Sequence, residues 1–246
     1  MLDLSLLEWG IAVICALMIG FAKAGIPGSG ILIPLFAAAI MPAKSSTGFV
    51  LPMLIMADIL AIIYWRRNVE WRQLVRLLPW AWLGVFTGFL GMDYISDEAL
   101  RTFIGFLVFI LIGVSYFRNR VLSDNHMPDH WMFAAVLGSL AGFTSMMANA
   151  AGPVMVIYLL AMRLPKESFI GTSAWFFWII NLSKLPFSHR LDLINLQSFQ
   201  TNLVLLPCIV AGGIVGIILV KRISQNMFNR AVQALAVCGA LFLIFM

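Results

Sequence analysis

A lysine set among glycines is the first feature with chemical consequence. In GFAKAGIPGSGILIP, residues 20–34, four glycines and Pro27 fall within eleven residues around Lys23. Glycine and proline both weaken a helical backbone, so this apolar run must break. Inside a bilayer a broken backbone is tolerated only where protein or a water-filled cavity satisfies its polar groups. A helix restarting near Pro27 aims unpaired N–H groups and the positive end of its dipole at the break, which suits an anion. Gly28 and Gly30 let a ligand approach the backbone, Ser29 adds a hydroxyl donor and Lys23 a full charge. A matching set stands 122 residues on, in GFTSMMANAAGP: Thr144, Ser145, Asn149, Ala150 and Gly152, with Pro153 suited to a first helical turn. Two such helix starts facing one another form a cage for a small anion. In that cage Ser29 faces Asn149, and Asn149 caps the second helix. Gly20, Gly142 and the glycines near 84–91 read more simply as close helix packing.

Asp58 is the other costly group. A carboxylate about 11 residues into an apolar run is expensive unless paired. Its counterpart 123 residues on is Asn181, and Lys184 follows one turn later on the same face. Asp58 is therefore the candidate for proton coupling, with Lys184 as a neighbour. The plainer alternative is a fixed ion pair or hydrogen bond. Lys23 likewise has two readings, a charge at the site or a side chain that reaches the cytoplasmic interface. Trp175 either walls the site or fills core.

Catalysis finds no support. The chain has no HExxH, GxSxG or P-loop. His126, His130 and His189 lie in or beside loops, and Cys15, Cys208 and Cys238 sit in apolar runs without CxxC spacing. No enzyme activity, metal or cofactor is expected.

These residues need elements to hold them, and the composition says which. Of 246 residues, 62% are hydrophobic and 11% charged, with a mean hydropathy of +0.97. Soluble chains carry about 25% charged residues, so this is a polytopic, all-α membrane protein. The N-terminal stretch carries Asp3 and Glu8 and no Lys or Arg, which does not suit a signal peptide, so the first run is expected to stay. Apolar runs cover about residues 6–22, 26–41, 47–65, 77–91 and 99–117 in the first half. In the second they cover about 131–147, 150–162, 168–186, 198–220 and 228–246. The first two runs of each half fall short of the roughly 20 residues a span needs, so each pair reads as half-helices meeting at a break or as short tilted spans.

The halves also align in order: Gly20 with Gly142, Gly30 with Gly152, Pro42, Ser45 and Gly48 with Pro165, Ser168 and Gly171, then Gly84 and Gly88 with Gly212 and Gly216. We read an internal duplication, with a first repeat at 1–120, a linker at 121–130 and a second repeat at 131–246. Arg66, Arg67, Arg72 and Arg76 follow the third run of the first half. In the second half the matching loop, SHRLD, is nearly neutral, and Lys221 and Arg222 come one loop later. The positive-inside rule then makes the second copy inverted. About five segments per repeat are expected, three full spans plus a broken or re-entrant pair, with both termini outside. Of 16 Lys and Arg residues, 12 then fall on the cytoplasmic side, favouring this orientation over its mirror image. Inverted repeats with paired broken helices are a pattern of secondary transporters. The net charge of +5 belongs to short loops, so no nucleic-acid partner is expected.

GF-x8-G-x3-P with P-x5-G-x9-D in the first half, and GF-x8-GP with LPKESFIGTSAWFFWIINLSKLPF in the second, resemble the TauE/SafE-type anion permeases, the sulfite exporter family. The resemblance spans nearly the whole chain. It departs at the breaks, where the family's longer glycine runs are replaced by AKAG and MANAAG. It implies transport of sulfite, sulfonates or related small organosulfur anions across the bacterial inner membrane without ATP. Carried over by position, it implies a site of Ser29, Gly30, Asn149, Gly152, Thr172, Asn181 and Lys184. The expected partners are a small anion and the lipid bilayer, with a homodimer left open. A passive anion channel, an uptake carrier of small carboxylates and a non-transporting scaffold are the alternatives.

Overall fold

In a computed structural model of the chain, residues 2, 4–41, 43–92, 94, 96 and 131–245 are described. The fifth apolar run and the 121–130 joint lie outside them. Among the described residues every regular element is helical. Helix α1 is Leu6–Ala24, followed by a 3₁₀ turn at Ser29–Leu32, then α2 (Ile33–Ile40), α3 (Ala43–Trp65) and α4 (Trp71–Gly91). The second half brings α5 (Trp131–Ala148), α6 (Gly152–Ala161), α7 (Lys166–Arg190), α8 (Leu196–Arg222) and α9 (Gln225–Phe245).

Local signals account for several ends. Ser5 and Glu8 form a reciprocal capping box at α1, and Asn195 and Ser198 form another at α8. Helix α4 starts six residues before its apolar run. Its inward positions Leu74, Leu77, Ala81 and Val85 recur every three or four residues, so the helical pattern takes in Arg72 and Arg76. Both arginines thus ride on a helix instead of in a loop.

Segments Leu6–Ala24, Ser45–Trp65, Trp71–Gly91, Trp131–Ala148 and Leu196–Arg222 are long and apolar enough to cross a membrane. Their outward faces carry exposed Trp82, Phe86, Val136, Leu203 and Ile214, as lipid contact requires. Helices α2 and α6 have 8 and 10 residues. At about 1.5 Å per residue neither crosses a hydrocarbon core of about 30 Å. Each is a half-helix following a break.

Glycines set the closest helix contacts. Helix α1 lies on α8, where a Cβ at Gly20 would run into the Ile209 carbonyl and one at Gly212 into the Leu17 carbonyl. Helix α4 lies on α5 in the same manner, Gly84 under the Ser139 carbonyl and Gly142 under that of Ala81. Between these two pairs, α3 crosses α7. Gly48 of α3 abuts the Leu193 carbonyl, and Gly171 of α7 abuts that of Asn68. Small residues allow such approach where lipid offers no hydrophobic drive for helices to associate. The close-packing role expected of Gly20, Gly84 and Gly142 is what the fold shows, and Gly48, Gly171 and Gly212 share it.

Candidate functional site

The two breaks differ in construction. Helix α1 ends at Ala24, whose carbonyl accepts from the buried Trp65 Nε1 at 3.0 Å. The chain then passes Gly28 in the left-handed region, φ 99°, a conformation no regular α-helix contains. A helix starting near Pro27 is therefore not found: the 3₁₀ turn begins at Ser29 and α2 only at Ile33. Helix α5 ends at Ala148, with Asn149 left-handed at φ 53°, which Asn tolerates better than most side chains. Helix α6 starts at Gly152 with Pro153 in its first turn, as its sequence requires. Its N-cap is Ala151, and no side chain caps it. Asn149 is not the cap because its amide is engaged elsewhere.

A cavity of about 50 Å³ lies between the breaks. At about 10–15 Å³ per water it holds about three to five waters, or an anion of similar bulk. Lys23, Gly28, Gly30, Ser145, Asn149, Gly152 and Asn181 line it, together with Ser173 and Phe177. Behind this wall runs a buried polar network. Lys23 Nζ is 2.8 Å from Asp58 Oδ1 and 3.8 Å from the centroid of the Phe177 ring. Asn181 Nδ2 donates to Asp58 Oδ2 at 2.7 Å. Lys184 Nζ donates to Ser145 O at 3.0 Å, Ser145 Oγ at 3.0 Å and Asn149 Oδ1 at 2.6 Å. Asn149 Nδ2 donates to Thr47 O at 3.0 Å. Helices α3 and α7 thereby hold both breaks.

Lys23 does not reach the interface; it turns inward to Asp58, which is fully buried. A lone carboxylate at that depth is costly enough to draw in the nearest cation. Lys184 sits on the Asn149 side of the cavity, with Asp58 held by Lys23 and Asn181 instead. Ser29 is off the wall, its hydroxyl donating to Ile26 O at 2.8 Å, so it does not face Asn149 across the cavity. Thr144 is off the wall too and bonds back to Leu140 O within its own helix at 2.8 Å. Thr172 Oγ1 accepts from Glu70 N at 2.9 Å, tying the α3–α4 loop to α7. Trp175 is half-buried, packs between Trp71 and Trp178, and is off the cavity wall.

Ser173 and Phe177 line the cavity although the sequence reading does not name them. The signal was there: Ser173, Phe177, Asn181 and Lys184 recur at helical spacing on one face of α7. Aromatic residues are so frequent in this segment that spacing alone did not single one out.

Compared with protein families, residues 11–243 match the model of the sulfite exporter TauE/SafE family. No curated protein and no solved structure matches the chain. The family match takes in both breaks and every residue of the buried network, so the chain belongs to the sulfite exporter TauE/SafE family, a family of membrane transporters.

Proposed function

We propose that this transporter is a secondary carrier of small anions, with sulfite, sulfonates and related organosulfur anions as substrates, working by alternating access. The observation that carries the reading is the cavity between two helix breaks, with an ammonium and amide and hydroxyl groups on its wall. Lys23, Gly28, Gly30, Ser145, Asn149, Gly152 and Asn181 form the contact set. Lys184 and Asp58 act from behind it, Asp58 as the proton-coupling group. Ser29, Thr144, Thr172 and Trp175 shape the surroundings without touching the anion.

Two inverted repeats, joined at 121–130, form the moving parts. Reciprocal contacts support this: α1 on α8 matches α5 on α4, and Gly48 at Leu193 matches Gly171 at Asn68. Asp58 and its counterpart Asn181 meet directly, as residues beside a two-fold axis do. The charge pattern favours both termini outside the bacterial inner membrane.

The test is flux from proteoliposomes loaded with labelled sulfite. Saturable efflux that responds to a pH gradient is expected, reduced at least tenfold by Asn149→Gly, which keeps the left-handed backbone and removes the amide. Linear, unsaturable flux makes the protein a channel. No flux of any anion leaves only a scaffold. A reporter at the C-terminus reads as outside; a cytoplasmic signal overturns the inverted orientation.

A further inference from the structure

We propose that the buried cluster sets the charge of the bound anion: one negative charge while Asp58 is ionised, two when Asp58 carries a proton. This rests on the transport reading above and deepens it to a substrate charge.

Donor geometry comes first. Lys184 is 1% exposed, and its three N–H donors are all used, on Ser145 O, Ser145 Oγ and Asn149 Oδ1. It has none left for a ligand and is a positioning residue. By occupying an oxygen lone pair on each, it turns Ser145 and Asn149 into donors toward the cavity they line. The Ser145 O–H has no protein acceptor among the described residues. Asn149 Nδ2 gives one N–H to Thr47 O and keeps the other. A wall of donors favours an anion over a neutral ligand.

The count of charges gives the rest. Lys23 stands at the cavity wall with Asp58 behind it. Among the described residues the charged groups facing Asp58 are Lys23 from α1 and Lys184 from α7, with neutral Asn181 on the second oxygen. Helices α5 and α8 bring no charge to this depth, since residues 131–148 and 196–220 contain no Asp, Glu, Lys or Arg. Two ammonium groups thus share one carboxylate. An uncompensated charge is costly away from water, and a monoanion in the cavity cancels the excess. A dianion leaves one negative charge too many. Balance returns when the Asp58 carboxylate takes up one proton from bulk solvent along with the anion, which releases the Lys23 ammonium toward the ligand. Hydrogensulfite accordingly binds without a proton and sulfite binds with one.

Methanesulfonate and sulfate are the probes, because both are tetrahedral with the same number of heavy atoms and differ by one charge. Each is titrated by calorimetry into the detergent-solubilised full chain between about pH 5 and 6.5, where both lysines carry their protons. One linked proton changes affinity by about tenfold per pH unit once the linked group is ionised in the free protein. Sulfate affinity is expected to fall with that slope as pH rises, and methanesulfonate affinity to stay flat. Asp58→Asn makes sulfate binding flat as well. Lys184→Gln removes one positive charge, so methanesulfonate acquires the proton-linked slope that sulfate shows in the wild type. A merely structural role for Lys184 lowers affinity without moving that slope. Equal slopes for the two anions in the wild type overturn the proposal, as does an unchanged methanesulfonate profile in Lys184→Gln, whether or not Asp58→Asn folds. Binding of neither probe, nor of sulfite, at any pH overturns the anion-site reading along with it; binding with the wrong slopes overturns the charge rule alone.

Discussion

The Lys23–Asp58 pair invites a double-mutant cycle. The two groups meet at 2.8 Å, with the lysine side chain 11% exposed and the carboxylate wholly buried. Breaking such a pair from one side strands a charge and costs about 3–5 kcal/mol. Lys23→Met therefore destabilises by that amount, since Asp58 keeps only its bond from Asn181. Asp58→Asn costs about as much by leaving Lys23 against the Phe177 ring, a contact worth about 0.5–2 kcal/mol. Removing both leaves the buried cluster with the same single excess positive charge as the wild type, on Lys184 among its own hydrogen bonds, and the amide oxygen that replaces the carboxylate can still accept from Asn181. Replacing a whole buried pair is often near neutral, so the double variant should lie within about 1 kcal/mol of wild type. At about 2–4 °C per kcal/mol, each single variant melts about 6–20 °C lower and the double recovers nearly all of it. Thermal melts in detergent, followed by tryptophan fluorescence, provide the assay. Should the two losses simply add in the double variant, Lys23 is not paired with Asp58 in the folded protein, and it reaches the cytoplasmic interface instead.

Three further substitutions test the frame around the site. Gly142→Ala drives a methyl group into the Ala81 carbonyl and should cost about 1–3 kcal/mol or more through overpacking. Gly152→Ala, which meets nothing within 4 Å, should leave the melt unchanged while narrowing the cavity it lines. Trp65→Phe removes the donor to the buried end of α1 at Ala24 and should cost about 1–3 kcal/mol, read by the same melts. Because Lys23 is the next residue back, sulfite affinity should fall in the same variant.

Long apolar runs announce their helices because a bilayer leaves the backbone no other partner, and α1, α3, α5 and α8 lie where those runs do. Ends decided by polar residues were less legible. Arg72 and Arg76 hid the start of α4, since a charge count cannot tell a loop from the outward face of a helix. The first break misled in the opposite sense. Pro27 invited a helix N-terminus, but Gly28 at its positive φ takes the chain out of helical geometry for several residues first. Ser29 consequently became the start of a 3₁₀ turn and bonds back to Ile26.

Which residues line the cavity was therefore partly legible, and whom they touch much less so. Asp58 and Asn181 were matched by their offset, and they meet across the centre of the bundle. The Lys23–Asp58 and Lys184–Asn149 pairings had no such marker. Helical spacing tells which residues share a face, but a contact between helices also depends on how each is rotated about its own axis. Here that rotation is fixed by backbone approaching backbone, at Gly20 and Gly212 for α1 on α8 and at Gly84 and Gly142 for α4 on α5. Rotating α1 by one residue, roughly 100°, would carry Lys23 off Asp58 and bring a side chain to the place of Gly20. The same glycines that permit the tight crossing thus aim the lysine inward. Close packing and site chemistry are, at this crossing, one constraint.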